Sequence, residues 1–167
     1  VNPLIILTAP TGAPEGSRPG TSIRPIHADD LPSLSRMYRE AYEEGLPQPA
    51  DRSVGWIDAL LAGTRGRRLP EASAVKAGPD GTLAAAIIVT EPAPGSDGDW
   101  DSVIAELFTH PDHRRQGLAE ELLAHCLQAL QAVGRHRVAV TVDSGNSAAL
   151  ALYLSRDFRR ATVDDAD

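Results

Sequence analysis

The spacing of apolar residues changes period repeatedly along the chain, and each change marks an element. The run Leu4-Ile5-Ile6-Leu7-Thr8 predicts a short strand, and residues 9–20, rich in Pro and Gly, predict a linker with no fold of its own. Alternation over residues 21–27 predicts a second strand. Asp29 or Asp30 then starts a helix in which Leu31, Leu34, Met37, Tyr38 and Ala41 recur at helical spacing, with Pro32 suited to its first turn. The pattern breaks over residues 42–49. A second helix starts at Asp51 or Ser53, runs through Trp56, Ile57, Leu60 and Leu61, and ends near Gly63.

Residues 71–76 and 82–90 flank Ala77-Gly78-Pro79-Asp80-Gly81, a hairpin signal, and the unbroken apolar run over 84–89 belongs at the centre of a sheet. Residues 102–109 alternate and are β-branched or aromatic in part, so they predict a further strand. His110-Pro111-Asp112 stops it, and Gly117 opens a helix to about Val133 with Leu118, Leu122, Cys126 and Leu130 on one side. Residues 136–142 predict another strand, 147–156 a short helix and 158–163 a last strand. Helix-bracketed strands with a hairpin ahead of them predict a mixed α/β sheet.

The order strand, polar turn, helix over residues 102–119 carries chemistry as well as fold. A helix start leaves backbone N–H groups without partners, and the helix dipole and Arg114 and Arg115 add positive potential there. Such a turn suits phosphate. The formal net charge of −7 excludes a broad basic face for nucleic acid, so a cationic turn in this chain points to a small anionic ligand. The single cysteine, Cys126, lies on the apolar side of its helix, which excludes a disulfide framework and a Cys-rich metal site. No apolar run reaches membrane-spanning length, and the first residues lack the basic region of a secretory signal, so the expectation is a cytoplasmic protein.

Two segments resemble the GNAT superfamily of acyl-CoA-dependent N-acetyltransferases. His110-Pro111-Asp112-His113-Arg114-Arg115-Gln116-Gly117-Leu118-Ala119 is similar to the family's pyrophosphate loop. Asn146-Ser147-Ala148-Ala149-Leu150-Ala151-Leu152-Tyr153, ending in Asp157-Phe158, is similar to its second motif. The resemblance implies a mixed, mostly antiparallel central sheet flanked by helices, with residues 1–20 as an N-terminal strand and linker and 21–167 as the acetyltransferase domain. It implies acetyl-CoA as co-substrate and no metal. The N–H groups of Arg114, Arg115, Gln116, Gly117, Leu118 and Ala119 would hold the pyrophosphate. The strand end Leu107-Phe108-Thr109 would bond the pantetheine arm, with an N–H near Leu107 or Phe108 facing the thioester carbonyl.

The same resemblance makes Tyr153 the proton donor to the departing thiolate and Glu106 the base for the amine, or else a residue that positions it. Asn146 would cap its helix or touch the cofactor. The implied reaction is acetyl transfer to a primary amine by direct attack in a ternary complex; a non-catalytic acyl-CoA-binding module is the alternative. The acidic stretch with Glu40, Glu43, Glu44 and Asp51 would suit a cationic acceptor, a small molecule or a peptide. Two features depart from the family. Asp157 stands where a left-handed glycine is usual, and the chain has no hairpin partner between the last strand and the strand over 136–142. That vacancy would be filled by the Leu4 segment, by a strand from a partner such as a second copy in a homodimer, or by a sheet with one strand fewer.

Overall fold

The computed structural model describes residues 2–12, 22–43, 55–96 and 98–161. Its sheet has seven strands: β1 (Leu4–Pro10), β2 (Ile23–Arg24), β3 (Ala74–Ala77), β4 (Leu83–Thr90), β5 (Ser102–Thr109), β6 (Arg137–Asp143) and β7 (Arg159–Arg160), in the order β2-β3-β4-β5-β6-β1-β7. Every neighbouring pair is antiparallel except β5 with β6. Helices α1 (Leu31–Glu43) and α2 (Trp56–Ala62) cover one face, and α3 (Leu118–Ala132) and α4 (Ser147–Ser155) the other. β4 lies inside the sheet, between β3 and β5, with all but its first residue buried, as an unbroken apolar strand covered on both faces must.

The core divides by strand parity. Ile87, Val89 and Ile104 join Leu122, Cys126 and Leu130 of α3, while Ala86, Ile88 and Phe108 join Leu34, Met37 and Tyr38 of α1. Cys126 is fully buried, and burial alone pushes its thiol far up, so it is an inert core residue.

The vacancy is filled from within the chain. β1 pairs along its whole length with β6, Leu4 opposite Asp143 through Pro10 opposite Arg137, and β7 pairs with its other edge. No donated strand is needed, and the sheet keeps its full count. The strand expected over 21–27 shrinks to Ile23–Arg24, because Pro25 has no N–H for the ladder and Asp30 turns back to accept from the N–H of His27 at 2.8 Å. The start expected for the second helix lies outside the described residues, as do Glu44 and Asp51 of the acidic stretch. The described helix begins at Trp56.

Candidate active site

The cleft originates in the one parallel pair. β5 and β6 bond at Ser102, Val103 and Ile104, opposite Val138, Ala139 and Val140, and then separate. The closed end is clamped by Asp101, whose carboxylate accepts from the N–H groups of His136 at 2.8 Å and Arg137 at 3.1 Å. Burial pushes that carboxyl up, and these two N–H groups, together with its own backbone N–H and the nearby His136, more than offset it, holding it below the usual carboxylate range. At the open end lies a cavity of about 40 Å³ lined by Glu106 and Leu107 of β5, Val142 of β6, Asn146 just ahead of α4, Tyr153 of α4, and Tyr42 of α1.

A bulge aims Glu106. Ile88 faces Glu106 but Val89 faces Ile104, so Ala105 is an extra residue on β5. Ile104 packs on the α3 face, yet Ala105 and Phe108 pack on the α1 face. In an unbroken strand Glu106 would share the face of Ile104; the bulge turns it to α1 and α2. There it is 3% exposed, accepting from Trp56 Nε1 at 3.0 Å and from the Tyr42 hydroxyl at 3.4 Å.

Parity also sorts the strand end. The His110 N–H donates to the Ala84 carbonyl, so Phe108 and Glu106 in the same register direct their backbone groups to β4. Leu107 and Thr109 direct theirs into the gap. Of the three residues expected to meet the pantetheine arm, these two present backbone to the gap. Phe108 does not, and its ring packs against Tyr38 with centroids 5.5 Å apart.

The loop ahead of α3 has the form expected of an anion cradle. Arg115 and Gly117 are left-handed, with φ of 64° and 74°. The N–H groups of Arg115, Gln116, Gly117, Leu118 and Ala119 find no hydrogen-bond acceptor among the described residues. A Cβ on Gly117 would meet nothing within 4 Å, so that side of the loop is open to a ligand. Arg115 is exposed, whereas Arg114 donates to the Ala41 carbonyl at 2.8 Å. His110 Nε2 lies 2.7 Å from Glu40 Oε2 while its Nδ1 accepts from the Asp112 N–H at 3.1 Å. The Arg114–Ala41 and His110–Glu40 contacts tie the end of α1 to the loop, next to Tyr42.

Tyr153 is 4% exposed and packs on Phe158 with centroids 5.1 Å apart. Asn146 takes the capping role, its Oδ1 accepting from the Ala149 N–H at 3.1 Å. Asp157 adopts φ 67°, the left-handed geometry its place in the motif requires. Among the described residues no group of three His, Cys, Asp or Glu could hold a metal, and no helix is long and apolar enough to cross a membrane. Sequence reasoning missed Tyr42 and Trp56 as partners of Glu106. The available signal was scarcity: both tryptophans and two of the three tyrosines line this cleft or the groove adjoining it.

A splayed parallel pair, a bulged strand and an anion loop at a helix start define an acyl-CoA transferase fold. Residues 31–158 match the model of the acetyltransferase (GNAT) family, and the chain belongs to that family. It is an acetyl-CoA-dependent N-acetyltransferase by that membership. A ribosomal protein bS18-alanine N-acetyltransferase of Escherichia coli is 25% identical over 142 residues, 85% of this chain and 83% of that protein. An L-amino acid N-acyltransferase of the same species is 33% identical over 70 residues, 38% of this chain and 41% of the other. A GNAT acetyltransferase of Brucella melitensis, solved with acetyl-CoA, superposes with a TM-score of 0.62 at 17% identity, covering 87% of this chain and 90% of that one.

Proposed function

We propose that the gap between β5 and β6 is where the acetyl group moves, by direct attack of an amine on acetyl-CoA in a ternary complex. One observation carries this assignment: Glu106 and Tyr153 line the same cavity, at the point where the two strands cease to pair. The amine nitrogen attacks the thioester carbonyl carbon, forming the N–C bond as the C–S bond breaks. Glu106 takes the amine's proton, directly or through water, and the Tyr153 hydroxyl gives one to the departing thiolate. The Leu107 N–H faces the gap and suits the carbonyl oxygen as it gains charge. The N–H groups of Gln116, Gly117, Leu118 and Ala119, with Arg115, suit the diphosphate. Alignment of two bound reactants supplies much of the rate, and no covalent intermediate is needed.

The single inert cysteine supports the cytoplasm as the working compartment. The acceptor is a small-molecule or peptide amine; the similar proteins act on a ribosomal protein in one case and on L-amino acids in the other. Thiol release from acetyl-CoA over an amine panel tests the assignment. Tyr153→Phe and Glu106→Gln are each expected to lower kcat by about a hundredfold, while the acetyl-CoA Kd changes less than threefold. Acetyl-CoA binding with no amine able to accelerate thiol release would overturn it.

A further inference from the structure

A groove of about 380 Å³ opens on the α1/α2 face and runs into the cleft, with Ile104, Ala105 and Thr141 lining both. Its walls are largely apolar and come from parts of the chain that the transfer chemistry leaves unused. Leu4 and Ile6 of β1 are 50% and 40% exposed there, facing opposite to Leu7 and Ala9, which are buried on the α3 side. Leu60 and Trp100 add to the wall. Gly98 lies so close to the Trp100 ring that a Cβ there would overlap it.

Among the described residues, the charges at the rim favour an anion. Glu91 is already held by Arg67 at 2.8 Å and Arg135 at 2.7 Å. Arg65 lies over the Trp56 ring, its guanidinium carbon 5.4 Å from the centroid, and has no carboxylate partner among the described residues. Trp56 therefore stands between two groups: its Nε1 donates to Glu106, and its face carries Arg65. A carboxylate that would meet the amine and a cation without an anion are separated by one indole. A zwitterion with an apolar side chain matches all three features.

We propose that the acceptor is a free α-amino acid with a medium-sized apolar side chain. Its amino group meets Glu106, its carboxylate pairs with Arg65 beside Trp56, and its side chain lies on Leu4, Ile6 and Trp100. This inference rests on the assignment of the cleft as the transfer site. A polyamine would meet Arg65 with no free carboxylate among the described residues of the groove to balance it, and a peptide N-terminus would place an amide where the carboxylate belongs.

The full chain is assayed by thiol release with acetyl-CoA and leucine, methionine, glycine, leucinamide, a leucine-initiated tripeptide or spermidine. Leucine or methionine should exceed leucinamide, the tripeptide, glycine and spermidine at least tenfold in kcat/KM, the scale expected of a charge-assisted pair. Arg65→Gln should raise KM for leucine about tenfold more than KM for leucinamide, and Ile6→Ser should narrow the preference for leucine over glycine. Both side chains are exposed, so thermal melts close to that of the parent protein are expected. Tripeptide, leucinamide or spermidine equal to leucine, or an Arg65→Gln protein with an unaltered KM for leucine, overturns the inference while leaving the transfer site standing. No amine-dependent thiol release despite measured acetyl-CoA binding overturns both.

Discussion

At the scale of single residues, Glu106 shows how neighbours hold a buried carboxylate in place. A glutamate in a central strand is costly to bury unless its oxygens are bonded, and here Trp56 Nε1 and the Tyr42 hydroxyl supply the donors. Under the proposed mechanism Trp56 would act through Glu106, as a positioning residue. Trp56→Phe keeps most of the apolar surface and removes the N–H donor, so kcat should fall about tenfold while the acetyl-CoA Kd moves less than twofold. Steady-state kinetics together with calorimetric titration of acetyl-CoA would separate those two quantities. The sequence marked Glu106 as a carboxylate between apolar neighbours, and the structure puts it in the wall of the cleft. The face it points to was not legible there, since that depends on a bulge opposite Ile88 and Val89, and the chain that forms the other side of a ladder is invisible to local pattern.

Among elements, the β5/β6 pair works as a wedge, tight at Asp101 and open beyond Ile104. The Asp101 carboxyl is held below its ordinary range, so its contribution to stability is fully present above the unfolded-state value of about 4 and is lost as pH falls through the lower folded value. Asp101→Asn should therefore destabilise the protein by about 1–2 kcal/mol at pH 7, and the difference from the parent should shrink as the pH drops below about 4. Urea titrations at a series of pH values would read it. At the start of α3, Gly117 serves conformation and access together. Gly117→Ala should cost about 1 kcal/mol of stability through its positive φ. It should also raise the acetyl-CoA Kd at least tenfold, because the added methyl would stand on the open side of the loop that the proposed function gives to the diphosphate. A loss of affinity no larger than the loss of stability would remove the loop from the coenzyme site.

For the whole molecule, the decisive feature is β1, which travels from the start of the chain to the space between β6 and β7. Leu7 is 2% exposed and packs with the α3 face of the core, so Leu7→Ala should lower stability by about 2–4 kcal/mol. If β1 were a loosely attached arm, the chemical denaturation midpoint would not shift. The same strand brings Leu4 and Ile6 to the groove beside the cleft, so an element that completes the sheet also forms a wall of that groove. What the sequence by itself determined is local: the strand Ser102–Thr109 and the turn and helix after it follow from residue types and spacing within one or two turns of chain, while the left-handed Asp157 and the capping Asn146 were implied by the resemblance of their segment to the family motif. The tertiary structure alone decided where β1 lies, which way Glu106 faces and which strand-end residues meet the gap. Each of those depends on backbone groups that are far apart in the chain and must find partners across it, a demand that burial imposes and local periodicity does not record.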